Sequence, residues 1–217
     1  MMNGISNRRT LPAGIYALTS ELHSQGRSNI EVAREILASG VPILQYREKA
    51  KKVRDMYEEC LVLRAMTRQY GALFIINDHL DLALAVGADG VHIGQDDLPL
   101  SKVRELLGPD FLIGVSTHSP AQAQAAVNGG ADYIGVGPLF ATHTKTDVCD
   151  PVGLDYLDYV VQNLEIPFVA IGGIKEYNLA AVLKAGARTV AFVTEIVGSP
   201  DILGKIKSLQ RIMEAQT

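Results

Sequence analysis

Short apolar runs rich in Val, Ile and Ala alternate along the chain with longer stretches in which apolar residues recur every three or four positions. The short runs predict strands over Gly14–Thr19, Ile43–Tyr46, Leu73–Ile76, Gly90–Ile93, Leu112–Ser116, Tyr133–Val136, Phe168–Ile171 and Val190–Val193. The longer stretches predict helices over Ser28–Ser39, Arg54–Tyr70, Asp81–Val86, Pro99–Leu107, Pro120–Asn128, Gly153–Asn163, Tyr177–Ala185 and Asp201–Ala215. Ser28 with Glu31 three residues on forms a capping-box pattern, and Pro99 and Pro120 suit helix starts. Four helix exits carry glycine before the next strand, at Gly40, Gly87, Gly130 and Gly186. Strands alternating with helices imply parallel pairing, and eight such units predict an α/β fold, a (β/α)8 barrel. No linker or composition shift divides the 217 residues, so one barrel domain is expected over 1–217, with 1–13 as an N-terminal extension. A doubly wound open sheet is the alternative.

A barrel concentrates function in the loops after its strands, and the polar residues follow that division. The loops entering the strands are mostly Gly, Ala and Asp. The loops leaving them carry Gln45-Tyr46-Arg47-Glu48-Lys49, Asn77-Asp78, Gly94-Gln95-Asp96-Asp97, Ser116-Thr117-His118, Thr142-His143-Thr144-Lys145, Gly172-Gly173 and Val193-Thr194. Each is ambiguous alone. Arg47, Glu48 and Lys49 read as a solvated charge run, or as an anion site if the two-residue period aims Gln45, Arg47 and Lys49 together at the mouth. Asp78, Asp96 and Asp97 read as helix caps, or as hard-oxygen ligands suited to Mg²⁺. Gly172-Gly173 reads as a tight turn, or as backbone N–H groups approaching an anion. His92, inside a strand, reads as a satisfied structural residue.

Composition narrows the chemistry. Lys and Arg number 20 against 24 Asp and Glu, a net charge of −4, which argues against a nucleic-acid or polybasic membrane surface. No apolar run approaches the roughly 18–20 residues of a membrane span, and the basic N-terminus lacks the apolar centre of a secretory signal. Cys60 and Cys149 show no C-x-x-C spacing, so a reducing, cytoplasmic setting is expected. Protease, nucleotide-loop, serine-hydrolase and dinucleotide motifs are absent from the sequence, and neither cysteine has an adjacent base. The residues describe a barrel enzyme for small phosphorylated molecules, with cations, carboxylates and a glycine-lined pocket.

The blocks Gln45–Lys49, Phe74–Asp78, Gly90–Asp97, Ile113–Thr117, Tyr133–Phe140, Thr142-x-Thr144-Lys145, Pro151-x-Gly153-Leu154 and Ala170–Ile174 occur in one order. In this the chain resembles the thiamine phosphate synthase family over about Gly14 to Gly198. The resemblance implies a transferase that joins 4-amino-2-methyl-5-(diphosphooxymethyl)pyrimidine to thiazole phosphate, giving thiamine phosphate and diphosphate. It implies Gln45, Arg47, Lys49, Asn77, Ser116 and Lys145 as pyrimidine-diphosphate ligands, with Lys145, Arg47, Lys49 and Ser116 as the catalytic set. Asp78 and Asp97 resemble the Mg²⁺ carboxylates; Thr142, Thr144, Gly173, Val193 and Thr194 resemble the thiazole-phosphate site. The sequence departs from the family pattern at Ser20, Tyr46, His143 and Thr194. A thiazole tautomerase on the same barrel, another phosphate-binding barrel enzyme and a non-catalytic binding protein are the competing readings. Retention of the diphosphate cations and both carboxylates favours the synthase.

Overall fold

The computed structural model describes residues 10–142, 144 and 149–216. The sequence pattern folds into a closed barrel in which each strand pairs in parallel with the next and the last with the first: β1 (Gly14–Leu18), β2 (Ile43–Tyr46), β3 (Leu73–Asn77), β4 (Gly90–Ile93), β5 (Leu112–Thr117), β6 (Tyr133–Val136), β7 (Phe168–Ala170) and β8 (Thr189–Phe192). The outer ring is α1 (Asn29–Ala38), α2 (Val53–Tyr70), α3 (Leu80–Val86), α4 (Leu100–Leu107), α5 (Pro120–Asn128), α6 (Gly153–Asn163), α7 (Glu176–Lys184), a short α8 (Thr194–Val197) and α9 (Ile202–Glu214). The open-sheet alternative is thereby excluded.

The strands are apolar on both faces because both are covered. One parity, including Ala17, Leu44, Phe74, Val91, Ile113, Ile134 and Val190, packs under the helices. The other, with Tyr16, Leu18, Ile43, Ile75, Leu112, Tyr133, Val169 and Ala191, fills the barrel. Leu11, in the segment expected as an extension, packs against this inner cluster, and Thr189 Oγ1 donates to Pro12 O at 3.0 Å.

Local signals explain the helix ends. The Ser28 hydroxyl accepts from Glu31 N while Glu31 Oε2 accepts from Ser28 N at 2.8 Å, which closes the capping box. Ser119 caps α5, with Pro120 inside its first turn. Two elements go unannounced by the pattern: α8 and a 3₁₀ turn over Glu21–His23, both too short for a hydrophobic period. β8 also lies one residue earlier than expected, because Val193 leaves the ladder to start α8.

Candidate active site at the carboxyl ends of the strands

The two-residue period of β2 sets the first part of the site. Gln45 faces the barrel interior and is buried, and its Nε2 donates to the Tyr16 hydroxyl at 2.8 Å. Tyr46, of opposite parity, points under the helices, where its hydroxyl donates to Glu59 Oε2 at 2.6 Å. Glu59 also accepts from Asn29 and Lys51, and Glu48 accepts from Glu21 N and Asn29 Nδ2, each at 2.9 Å. Burial and the Glu59 carboxylate push the Tyr46 phenol pKa up, so it stays a neutral donor. The departure at Tyr46 therefore lies in a helix-facing polar cluster and leaves the mouth unchanged.

Arg47 continues from β2 with its backbone N bonded to Thr19 Oγ1 at 3.0 Å. Its Nε is buried and meets no hydrogen-bond acceptor among the described residues. Burial lowers the guanidinium pKa, while Asp78 and Glu48 act to raise it. An unmatched buried N–H costs about 1–3 kcal/mol. Arg64 Nε is orphaned in the same way although both its terminal nitrogens bond Asp89, so what sets Arg47 apart is its place at the mouth with no ion pair among the described residues. Lys49 reaches Asp78 Oδ2 at 2.5 Å with most of its side chain exposed.

The carboxylates come from neighbouring strand ends. Asp78 adopts φ = 63°, a left-handed conformation uncommon outside glycine, held by its N–H bond to His92 O at 2.9 Å. Asp97 turns back so that Oδ2 accepts from Gly94 N at 2.6 Å, and it lies within hydrogen-bonding contact of Asp78. Burial and the neighbouring Asp78 hold the Asp97 pKa above the usual carboxylate value. Asp96 and Asp97 are both exposed to solvent, and what separates them is the bond of Asp97 to Gly94 N and its approach to Asp78. Two adjacent carboxylates with Lys49 as the ion-paired cation form a donor set that fits a hard divalent ion, which takes one or two carboxylates and completes its shell with water and phosphate oxygens. No cluster of three or more potential metal-ligating side chains occurs among the described residues. A groove of about 450 Å³ runs outward from Asp78, but Leu80, Leu84, Leu98 and Leu106 line it, so its surface does not suit a diphosphate.

Asn77 ends β3 on the interior parity and is buried. Ser116 Oγ lies 2.9 Å from His92 Nε2, and its carbonyl accepts from Gln95 Nε2 at 2.6 Å. Farther round the mouth, the Thr142 and Thr144 hydroxyls are 3.2 Å apart. Gly173, at φ = 64°, passes so close to the loop after β6 that a Cβ would sit 2.6 Å from Ala141 O and 2.7 Å from Phe140 O. Only glycine allows that approach. Thr194 begins α8 directly after Val193, and its hydroxyl accepts from Lys175 Nζ at 3.1 Å, with Glu195 Oε2 3.2 Å from the same ammonium. Ser20, another departure, is buried and bonds His23 Nδ1 through its hydroxyl at 2.8 Å. Lys145 and His143 lie outside the described residues.

The structure thus brings Gln45, Arg47, Lys49, Asn77, Asp78, Asp97 and Ser116 to one side of the mouth, with Thr142, Thr144, Gly173, Val193 and Thr194 on the β6–β8 side. Sequence reasoning passed over Lys175, Tyr16 and Tyr133. The last two carry the interior parity on β1 and β6, a signal the same period would have supplied.

The chain is similar to known proteins over most of its length. The family model described as thiamine monophosphate synthase matches residues 15–196. A thiamine-phosphate synthase of Pelotomaculum thermopropionicum is 60% identical over 203 residues, covering 94% of this chain and 93% of its own. One from Caldicellulosiruptor saccharolyticus is 57% identical, over 92% of this chain and 90% of its own. The solved thiamine phosphate pyrophosphorylase of Pyrococcus furiosus superimposes with a TM-score of 0.86 at 37% identity, over 93% of this chain and 96% of that one. A 3-hexulose-6-phosphate synthase at 19% identity and a TM-score of 0.63 shares the fold alone. With the family pattern matched through the barrel from β1 to α8, the chain belongs to the thiamine monophosphate synthase family.

Proposed function

We propose a division of labour among these residues for the transfer reaction of the family. Gln45, Asn77 and Ser116 hold the pyrimidine, and Arg47, Lys49 and Lys145 hold its diphosphate. Thr142, Thr144, Gly173, Val193 and Thr194 receive the thiazole phosphate. The chain is a transferase that makes thiamine phosphate. In the proposed step the methylene carbon–oxygen bond breaks, diphosphate leaves with the electron pair, and the thiazole nitrogen forms the new bond to carbon. No side chain attacks, so catalysis rests on positioning and on charge set against the leaving group.

The family uses a metal ion; we assign Mg²⁺, held by Asp78 and Asp97. When bound, it neutralises diphosphate charge as a Lewis acid. Arg47 contributes a guanidinium at the strand ends whose buried Nε–H meets no acceptor, and which makes no ion pair, among the described residues; that charge, held unpaired at the mouth, carries the assignment. Lys49 is a mobile point charge that would exchange Asp78 for phosphate oxygens. Lys145, the residue after Thr144, is assigned over the departing diphosphate. The carboxylate pair and anion-seeking cations support small phosphorylated molecules as the partners. No helix of the described residues is long and apolar enough to cross a membrane, and the two cysteines are unpaired, which supports a cytoplasmic setting.

The test incubates the folded chain with both precursors, with Mg²⁺ or with excess chelator, and measures thiamine phosphate. Metal-dependent product is expected. Product formed equally in chelator would remove the metal assignment, and absence of product with both precursors bound would remove the function.

A further inference from the structure

Five side chains on five strands make one hydrogen-bonded chain through the barrel interior. Gln45 Nε2 on β2 donates to the Tyr16 hydroxyl on β1 at 2.8 Å. Tyr16 and the Tyr133 hydroxyl on β6 are 3.0 Å apart, Tyr133 and His92 Nδ1 on β4 are 3.2 Å apart, and His92 Nε2 and Ser116 Oγ on β5 are 2.9 Å apart. The barrel is shaped around the two central rings. A Cβ on Gly114 would sit 2.1 Å from the Tyr133 ring, and one on Gly135 would sit 3.2 Å from the imidazole of His92. Burial raises the pKa of both phenols, so each remains an O–H donor.

The direction of this chain follows from its first bond. The Tyr16 oxygen accepts from Gln45. Either phenol can donate across the Tyr16–Tyr133 contact, and donation from Tyr16 is the arrangement that leaves neither buried hydroxyl hydrogen unmatched. Tyr133 then donates to His92 Nδ1, which must be unprotonated, and the imidazole hydrogen sits on Nε2 and goes to Ser116 Oγ. Among the described residues nothing else bonds the Ser116 hydroxyl or the Gln45 carbonyl oxygen, so the Ser116 hydrogen and that oxygen are left for the mouth.

We propose that Tyr16, Tyr133 and His92 are positioning residues that fix the hydrogen-bond polarity of the pyrimidine pocket, presenting an acceptor at Gln45 and a donor at Ser116. This rests on the assignment of Gln45 and Ser116 to the pyrimidine. An aminopyrimidine offers the matching pattern, an exocyclic N–H donor and ring-nitrogen acceptors. A ring bound the other way round would face donor with donor and acceptor with acceptor, so the relay selects orientation as well as identity.

Nitrogen-15 NMR of the full chain, free of ligand, reads the His92 tautomer directly, and this part of the test does not depend on any substrate assignment. Nδ1 unprotonated and Nε2 protonated is the expected result; the reverse tautomer or an imidazolium near neutral pH would overturn the relay. Tyr133→Phe keeps the ring and removes the donor to Nδ1. It should move the His92 signals and raise KM for the pyrimidine diphosphate about three- to tenfold, leaving KM for thiazole phosphate unchanged. Tyr16→Phe should raise the same KM while leaving the His92 signals in place. Unchanged pyrimidine-diphosphate KM in both variants, or a rise confined to thiazole phosphate, would overturn the proposal.

Discussion

The two ends of the barrel use the same charged residue types in opposite ways. At the end where chains enter the strands, Arg64 of α2 grips Asp89 through both terminal nitrogens at 2.7 and 2.9 Å, and Asp89 also accepts from Phe74 N at 2.8 Å. The device recurs two strands on: Arg104 of α4 pairs with Asp132, which accepts from Ile113 N at 2.8 Å. Both Asp residues sit just before a strand, fasten the neighbouring strand's backbone and tie it to a helix. At the other end, Arg47 Nε is buried without an acceptor among the described residues. Arg64 Nε is too, but both Arg64 terminal nitrogens are bonded, whereas the Arg47 guanidinium makes no ion pair among the described residues, and Asp78 and Asp97 lie side by side at the same mouth. The Arg–Asp pairs closed at the first end stabilise the fold; the Arg47 guanidinium and the two carboxylates at the mouth are the charges we assign to a ligand. The barrel separates the two tasks by placing them at opposite strand ends.

The largest effect should come from breaking the paired end. Arg64→Met would leave the Asp89 carboxylate buried without its partner, costing about 3–5 kcal/mol. Thermal melting should fall by roughly 6–20 °C for a chain of this size, while kcat of the protein still folded stays near wild type. The opposite pattern sharpens the contrast. Lys145→Met should lower kcat roughly tenfold to somewhat over a hundredfold through loss of a charge-assisted bond to the leaving group, with melting unchanged. Wild-type kcat and pyrimidine-diphosphate KM in that variant would remove Lys145 from the leaving-group site.

A smaller effect should separate neighbouring carboxylates. Asp97, turned toward Asp78, should be sensitive: Asp97→Ala is expected to raise sharply the Mg²⁺ concentration for half-maximal activity. Asp96→Ala should shift it little when ionic strength is matched. Equal titration curves would move the metal off Asp97. The smallest effect is expected at Lys175, which shares its ammonium between Thr194 and Glu195. Lys175→Met should raise KM for thiazole phosphate a few-fold and leave that for the pyrimidine diphosphate alone; the reverse selectivity would reassign the β7–β8 loops.

Much of this was legible in the sequence because barrel strands obey a strict two-residue period and helix ends carry their own chemistry. Ser28 with Glu31 and Ser119 with Pro120 mark helix starts locally, and the order of strands and helices dictates parallel closure. The parity of Gln45 and Arg47 against Tyr46 likewise follows from alternation. What stayed hidden depends on contacts between distant segments. Nothing beside Asp89 or Asp132 announces a partner 25 or 28 residues away, so loops that read as bland connections contain tightly bonded ion pairs. The Tyr16–Tyr133–His92 chain joins residues up to 117 positions apart, and only closure of the barrel sets those hydroxyls face to face. His92 read as a satisfied structural residue, and it is bonded on both ring nitrogens; the Ser116 at one end of it is what ties it to the mouth.

The contrast between the two ends is tested most directly at Arg47, by measuring thiamine phosphate formation from both precursors with Mg²⁺ alongside the melting temperature of the same Arg47→Met preparation. The account predicts product formation lowered at least about tenfold, through loss of a charge-assisted contact, with a melting temperature equal to or above wild type because an unmatched buried N–H has gone. Undiminished product formation, or a loss of stability like that expected of Arg64→Met, would contradict it: Arg47 would then belong to the fold and not to the site.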